Sequence, residues 1–229
     1  MKKIAIAIDG PAASGKSTTA KLVAQRLGYV HLDTGAMYRA VTLGVLREQI
    51  DIASRNEVES FAQRVELAVK ADGPGGNRIY LNGTEVTPEI RTPIVTRNVS
   101  TVSSYEGVRS VLVREQRKLA SEGGIVLEGR DIGTVVLPEA ELKIFMVAEV
   151  TERARRRKKD LLSAGIEVDE EEVVKEIEER DRKDSTRTAS PLRMAPDAIK
   201  LDTSNLSVEE QVAFIVDRAG KIIRAGGVG

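Results

Sequence analysis

The sequence contains no cysteine and no tryptophan, and it has a single histidine, His31. Without cysteine the chain can form neither a disulfide nor a thiolate metal site, and one histidine argues against an imidazole metal cluster. The absence of cysteine is compatible with the cytoplasm, which is the location we expect. No apolar run approaches the length of a membrane span, and the first residues lead straight into a strand pattern, which argues against a signal peptide.

Neither sign of charge is in excess, because 35 Lys and Arg balance 35 Asp and Glu. A general nucleic-acid-binding surface is therefore not expected, and three Phe and four Tyr leave few rings on which bases could stack. The 229 residues, of which 41% are apolar and 31% charged, predict a globular protein. We expect one domain over residues 1–229, and a monomer.

The motif GPAASGKS at residues 10–17 has the spacing of a phosphate-binding loop. An alternating apolar run at residues 4–8 precedes it and a helical pattern follows, so strand, loop and helix stand in the required order. Glycines let backbone N–H groups surround a polyphosphate, Lys16 reaches the terminal phosphates, and the Ser17 hydroxyl ligates Mg²⁺. A chance glycine-rich turn would not explain all these features together. The motif predicts a nucleoside-triphosphate site.

Strand and helix patterns alternate along the rest of the chain. Further strands are predicted at 29–32, 125–127, 142–147 and 198–202. The strand at 29–32 is followed by Asp33-Thr34-Gly35 and by a helix from about Ala36. Capping boxes at 54–57 and 207–210 predict two helix starts, and further helices are predicted at about 106–120 and 170–180. Five strands separated by helices predict an α/β fold: a five-stranded parallel sheet with helices on both faces.

The period changes to alternation at about residues 65–90. Val65, Leu67 and Val69 alternate with polar residues, a glycine-rich turn follows at 72–77, and Asn82-Gly83 is a strong signal for a two-residue hairpin. This segment is predicted to be a small antiparallel insertion.

The loops that follow the predicted strands are rich in Arg and Asp. Ligands of parallel sheets bind beyond the carboxyl ends of the strands. A basic helical run such as that at 151–160 is by itself typical of a solvated face. Several loops that bring Arg to the same sheet edge instead favour phosphate binding, since the guanidinium fork matches two phosphate oxygens. ATP with a second phosphorylated substrate is the simplest ligand set that needs so many.

Four motifs, in this order, carry a resemblance to a known family: IDGP with the phosphate loop, LDTGAMYR at 32–39, GRDIGTVV at 129–136, and ERD at 179–181 continuing to RTASPL at 187–192. Over essentially its whole length the chain resembles the longer bacterial cytidylate (CMP) kinases, nucleoside-monophosphate kinases with a phosphate loop. One departure is Glu128, where relatives often have Asp. The resemblance gives His31 no role, and we expect it to be structural.

The resemblance implies transfer of the γ-phosphate of ATP to CMP or dCMP, with Mg²⁺ as cofactor. It implies that the ATP phosphates are held by Gly10, Pro11, Ala12, Ala13, Ser14, Gly15, Lys16, Ser17 and Thr18. The implied catalytic residues are Lys16, Arg39, Arg130, Arg153 and Arg157, with a helical lid at about 151–168. The implied acceptor site comprises Asp33, Thr34, Gly35, Tyr38, Arg39, Ser100, Arg109, Arg130, Asp131, Arg180, Asp184 and Arg187. Among these, Arg39 and Arg130 would clamp the phosphate, Tyr38, Arg180, Asp184 and Arg187 would address the sugar, and Ser100, Arg109 and Asp131 would read the cytosine edge.

Three other interpretations remain open. A GTPase switch would need an Asn-Lys-x-Asp motif after a strand, and the nearest string, at 157–160, lacks the Asn and falls in a predicted helix. A nucleic-acid-dependent ATPase is suggested only by the basic run. A different nucleoside-monophosphate or small-metabolite kinase is the strongest alternative. For Asp131, the simpler reading is that it pairs with a neighbouring Arg and shapes the turn.

Overall fold

The short apolar runs of the sequence form strands, and one or two helices separate the strands of the main sheet from one another except where a small second sheet is inserted or a strand follows directly. The computed structural model describes residues 3–72, 76–163 and 165–226. In chain order the elements are β1 (Ala5–Asp9), α1 (Lys16–Leu27), β2 (Val30–Asp33), α2 (Thr34–Arg47), α3 (Arg55–Arg64), β3 (Leu67–Ala71), β4 (Asn77–Leu81), β5 (Thr84–Glu85), α4 (Pro93–Val102), α5 (Glu106–Ala120), β6 (Ile125–Gly129), β7 (Leu142–Val147), α6 (Val150–Ser163), α7 (Glu170–Thr186), β8 (Ile199–Asp202) and α8 (Val208–Ala225).

The main sheet has five parallel strands in the order β2-β6-β1-β7-β8. Side chains on one face, such as Leu32 and Leu127, pack against α2, α3 and α5. Those on the other face, such as Ile6 and Ile144, pack against α1 and α8. The predicted α/β fold with helices on both faces is therefore confirmed. Because β1 and β6 lie in the middle of the sheet, the loops that follow them meet at its centre.

The segment after α3 folds into a separate three-stranded antiparallel sheet in the order β3-β4-β5. Asn82 and Gly83 both adopt positive φ, 48° and 77°, as a two-residue hairpin requires. Ile79 and Leu81 of this sheet pack against Ala40 of α2. The predicted antiparallel insertion is thus confirmed, while the predicted turn at 72–77 includes residues 73–75, which lie outside the described residues.

Three details of the helices differ from the sequence-based expectations. Asp33 is the last residue of β2 and also the N-cap of α2, where its carboxylate accepts from Ala36 N at 3.1 Å, so that helix begins earlier than predicted. The capping box expected at Ser54 is not formed: the Ser54 side chain accepts no backbone hydrogen bond, and the Ser54 N–H donates to Asp51 O at 2.9 Å instead of to the Glu57 carboxylate. The capping box of Ser207 is formed as predicted. Helix α7 also continues past residue 180 to Thr186.

Within the described ranges, no helix is long and apolar enough to cross a membrane.

Candidate active site

The phosphate-loop motif forms the turn between β1 and α1. Gly10 has φ 150°, and a Cβ atom there would lie 2.1 Å from the backbone oxygen of Met146 in β7, so only glycine fits. Gly15 (φ 92°) and Ala13 (φ 57°) also have positive φ, and such a conformation turns backbone N–H groups toward the inside of the loop. The loop therefore presents its N–H groups beside the N-terminus of α1, which suits an anion.

Lys16 lies inside this loop and is only 6% exposed. Its Nζ donates to Pro11 O at 2.6 Å and to Ser14 Oγ at 3.1 Å. Burial, together with the nearby Arg130 charge, lowers the pKa of Lys16 to about 7. A buried ammonium with only neutral acceptors is poorly stabilised, so an anionic ligand in the loop would restore its charge.

Three arginines from separate elements meet beside the phosphate loop: Arg39 of α2, Arg130 after β6, and Arg180 of α7. Arg39 Nη1 and Arg180 Nε are buried and have no hydrogen-bond partner among the described residues. Burial and the charges of Arg130 and Arg39 lower the pKa of Arg180 to about 10. A bound phosphate would relieve the repulsion between these arginines and would accept hydrogen bonds from their unused donors.

Two carboxylates hold part of this cluster in place. Asp184 accepts from Arg130 Nε at 2.8 Å. Burial alone would raise the pKa of Asp184, but the charges of Arg130 and Arg180 hold that pKa below its usual range. Asp33 lies 3.8 Å from Arg39 Nη1. Burial alone would raise the pKa of Asp33, but the charges of Arg39 and Arg91, with smaller contributions from His31 and the Ala36 N–H, together lower it.

A buried ion pair lies at the far side of the arginine cluster. Arg109 of α5 donates to the Asp131 carboxylate, and both residues are almost fully buried. Arg109 also donates to Ser103 O at 3.1 Å and lies over the Tyr38 ring, 5.2 Å from its centre. Arg187 approaches the other Asp131 oxygen at 3.6 Å. Asp131 therefore does pair with arginines, as its simpler interpretation holds, and the pair lines the same cavity as Ser100.

Helices α6 and α7 contact the phosphate loop through Arg153 of α6 and Asp181 of α7. Asp181 accepts from Arg153 Nη1 at 2.5 Å and from Ala12 N at 3.3 Å. Arg153 Nη1 also donates to Ala12 O at 3.2 Å. Arg156 donates to Thr203 O at 2.6 Å. The two helices thus bear directly on the loop that is proposed to hold the donor phosphates.

One continuous cavity of about 720 Å³ connects these parts. It brings together most of the residues expected from the sequence: Ala12, Ala13, Ser14, Gly15, Lys16, Ser17, Thr18, Asp33, Thr34, Gly35, Tyr38, Arg39, Ser100, Arg109, Arg130, Asp131, Arg157, Arg180, Asp184 and Arg187. Gly10, Pro11 and Arg153 do not line it: the first two form the base of the loop and Arg153 is buried behind it.

Two acidic residues outside the predicted site also shape it. Asp9 accepts from the backbone N–H groups of Ile132 and Gly133 at 2.8 and 2.7 Å, which ties the end of β1 to the π-helical turn after β6. Burial raises its pKa to about 6. Asp181 is the second. Both stand inside the motifs that carry the resemblance, directly before the phosphate loop and directly after Arg180, and that position is the signal that could have found them.

The residues beside the phosphate loop also suit a magnesium ion. Ser17 Oγ lies 2.7 Å from Glu128 Oε2, so a hydroxyl and a carboxylate meet at the mouth of the loop. Within the described residues no cluster of three acidic, histidine or cysteine side chains could hold a metal by itself. Mg²⁺ commonly uses one or two protein oxygens together with substrate phosphates and water, so this donor set fits it.

The parallel sheet, the phosphate loop after β1 and the arginine-lined cavity beside it define a P-loop kinase. The cytidylate kinase family model matches residues 6–221. The chain belongs to the cytidylate kinase family.

Individual relatives agree with this assignment. The chain is 51% identical to the cytidylate kinase of Streptococcus gordonii over 97% of its own length and 99% of the relative's. It is 45% identical to that of Bacillus pumilus, over 96% and 98% of the two chains. A solved shikimate kinase structure from Bacteroides thetaiotaomicron is similar over 97% of this chain and 99% of that one, with a TM-score of 0.48 and 11% identity, which is too distant to bear on the substrate.

Proposed function

We propose that this protein transfers the γ-phosphate of ATP to CMP or dCMP, giving CDP or dCDP and ADP. Membership of the cytidylate kinase family supports ATP as donor and a nucleotide as acceptor. The observation that carries the proposal is the single cavity that joins the phosphate loop at one end to the buried Arg109–Asp131 pair at the other, with unpaired arginine donors between.

The donor end would be formed by the phosphate loop, residues 10–18. Its N–H groups and the N-terminus of α1 would hold the ATP phosphates, and Lys16 would turn from Pro11 O to the terminal phosphates. Ser17 would hold Mg²⁺ together with those phosphates. When bound, that ion would neutralise part of the charge that the phosphate oxygens carry.

The acceptor phosphate would lie between the two ends. Arg39 and Arg130 would clamp it, because each guanidinium can donate two parallel hydrogen bonds to phosphate oxygens. Arg180 and Asp184 would address the sugar with Tyr38 and Arg187. Asp33 caps α2 and lies near Arg39, so it would position the clamp, with Thr34 and Gly35 forming the turn that brings Arg39 into the cavity.

The base would be read by Asp131, Arg109 and Ser100. Cytosine presents an amino donor beside a ring-nitrogen acceptor, whereas uracil presents a carbonyl acceptor beside an N–H donor. An ionised Asp131 accepts only and Arg109 donates only, so the pair complements cytosine and opposes uracil. One polar contact of this kind discriminates by about 1–3 kcal/mol.

The transfer itself asks the protein for alignment and charge stabilisation. The accepting phosphate oxygen is already largely ionised near neutral pH, since the second pKa of a phosphate monoester is about 6. No general base is required, and repulsion between two anions is the main obstacle. Lys16, Arg39 and Arg130 would offset it. Residues 151–168, with Arg153 and Arg157, would act as a lid that excludes water and keeps ATP from hydrolysis.

The competing functions find less support. The string at 157–160 lies within α6 rather than after a strand, where a guanine-recognition motif is needed. The basic residues Arg155 and Arg156 both pair with Glu152 of the same helix, which leaves them less free to bind nucleic acid. The monomeric state, the absence of nucleic-acid binding, the single-domain organisation and the cytoplasmic location stay predictions.

The test is a coupled assay of ADP release with CMP, dCMP, UMP, AMP and shikimate as acceptors. The proposal expects the largest kcat/KM with CMP or dCMP, and a product that comigrates with CDP or dCDP. A higher kcat/KM for AMP or shikimate would instead identify a different kinase within this fold, and ATP hydrolysis without any transfer would refute a kinase function.

A further inference from the structure

His31 is the single histidine of the chain, and the chemistry proposed above gives it no role. In the sheet it pairs in register with Val126 of β6. Glu128 stands two residues further along β6. Because side chains alternate between the two faces of a sheet, those of His31 and Glu128 lie on the same face. Both are buried, with exposed fractions of 6% and 3%.

These two side chains form a hydrogen-bonded chain that ends at the phosphate loop. His31 Nε2 lies 3.1 Å from Glu128 Oε1, and Ser17 Oγ donates to Glu128 Oε2 at 2.7 Å. An ionised carboxylate can only accept, so His31 Nε2 carries the hydrogen in this contact. Both oxygens of Glu128 are therefore engaged, one by β2 and one by α1.

The orientation of the Ser17 hydroxyl depends on this arrangement. A hydroxyl has one hydrogen and two lone pairs, and it ligates a cation through a lone pair. Its hydrogen must then point elsewhere, and Glu128 Oε2 accepts it. If the carboxylate could rotate, the hydrogen could turn toward the cation and oppose binding. By holding the other carboxylate oxygen, His31 prevents this rotation, as outer partners of metal ligands commonly do.

We propose that His31 is a positioning residue for nucleotide-bound Mg²⁺, acting through Glu128 on the hydroxyl of Ser17. The role presupposes the ATP and Mg²⁺ site proposed above. It adds a residue that stands outside the phosphate loop and is not among those that line the nucleotide cavity. It also gives a task to Glu128.

The experiment compares His31→Leu, which removes the donor, with His31→Gln, whose amide keeps an N–H group at similar reach. Binding of a non-hydrolysable ATP analogue is measured by calorimetry with Mg²⁺ and with EDTA. In His31→Leu, the factor by which Mg²⁺ raises the affinity for the analogue should fall about tenfold, which is the scale found for outer partners of metal ligands. In His31→Gln, most of that factor should remain. In assays of transfer, the Mg²⁺ requirement should rise in His31→Leu while the KM for CMP stays within about twofold, since no acceptor contact changes.

Tyr105→Phe is the matched control. It removes one side-chain hydrogen bond, from Tyr105 Oη to Ile52 O at 2.7 Å, on the other face of the sheet. It should lower Tm without changing the gain from Mg²⁺. Should His31→Leu fail to fold, His31→Asn gives the same test, because its shorter side chain does not reach Glu128.

If Mg²⁺ raises the affinity for the analogue as much in folded His31→Leu or His31→Asn as in wild type, the proposal is overturned. Equal impairment of His31→Gln and His31→Leu also overturns it, since the shape of the ring rather than its N–H group would then matter. In the Glu128→Gln background, His31→Leu should have no further effect, and an additive loss contradicts the proposed chain. Analogue binding needs no acceptor, so a His31-dependent gain in a protein that does not phosphorylate CMP would support this role while refuting the proposed function.

Discussion

Lys16 should destabilise the ligand-free protein even though the proposed transfer would depend on it. Burial, with the Arg130 charge adding to it, lowers its pKa from 10.5 to about 7. A basic group whose pKa falls on folding binds its proton more tightly in the unfolded chain, so it favours unfolding. The full cost applies below pH 7, shrinks as the pH rises, and is gone above 10.5. At about 1.36 kcal/mol per pH unit, it reaches at most ~4 kcal/mol at pH 7.

Lys16→Met removes this charge and keeps an unbranched side chain. The variant also loses the hydrogen bonds to Pro11 O and Ser14 Oγ, which costs ~1–3 kcal/mol. We therefore expect a net gain of ~2 kcal/mol at pH 7, or roughly 4–8 °C in Tm for a chain of this size. The gain should shrink at pH 9.5, where Lys16 is neutral in the folded protein and the pH is only one unit below the unfolded pKa of 10.5, so that the remaining cost is about 1 kcal/mol. Urea or thermal unfolding without nucleotide, at both pH values, measures it.

The same variant should lose its transfer activity, because removing the lysine charge should cost several kcal/mol of transition-state stabilisation. Lys143→Met is the matched control, because Lys143 is also buried but pairs with Asp197, 2.7 Å from its Nζ. That variant should lose stability and keep its activity. If Lys16→Met is less stable than wild type by the same amount at both pH values, or turns over normally, the reasoning on Lys16 is refuted.

Two further predictions concern the arginine clamp and the lid. Arg39→Lys and Arg130→Lys keep the charge but lose the guanidinium fork, so each should lower kcat/KM about tenfold or more. Their effects should be non-additive if both residues bind one phosphate, as proposed. A lysine that serves as well at both positions would exclude bidentate binding. Asp181→Asn weakens the contacts to Arg153 and Ala12 N, so ATP hydrolysis without acceptor should rise relative to transfer; an unchanged ratio of the two rates would contradict a role of this contact in closing the lid.

The sequence predicts most of the fold because the signals are local. Short apolar runs such as 142–147 predict buried strands. Asn82-Gly83 predicts a hairpin, because a two-residue hairpin turn needs residues that adopt positive φ. Ser54 shows the limit of such signals. It carries the same spacing as Ser207, and each serine hydroxyl donates to the glutamate three residues on. The Ser207 N–H also binds its glutamate, whereas the Ser54 N–H donates to Asp51 O, and no capping box forms there. Two identical patterns thus gave different local hydrogen bonds.

The candidate site was predictable as a set of residues, but its pairings were not. Ser17 and Glu128 are 111 residues apart in the chain, and Arg130 and Asp184 are 54 apart. Such contacts follow from the strand order and from the packing of α7, which no local pattern encodes. The burial of Lys16 could not be predicted for the same reason, since it depends on how closely the surrounding elements approach the loop.

The central claim, that the acceptor is a cytidine nucleotide read by Asp131, is tested most directly by Asp131→Asn. The measurement is the ratio of kcat/KM for CMP to that for UMP in wild type and variant, with Asp184→Asn as the matched control. Asp184 is also a buried aspartate paired with an arginine, but it would face the sugar, which both substrates share. With Tm close to wild type, Asp131→Asn should lower the ratio about tenfold or more, and Asp184→Asn should leave it unchanged. A ratio that is unchanged in well-folded Asp131→Asn, or that falls equally in both variants, would contradict the account.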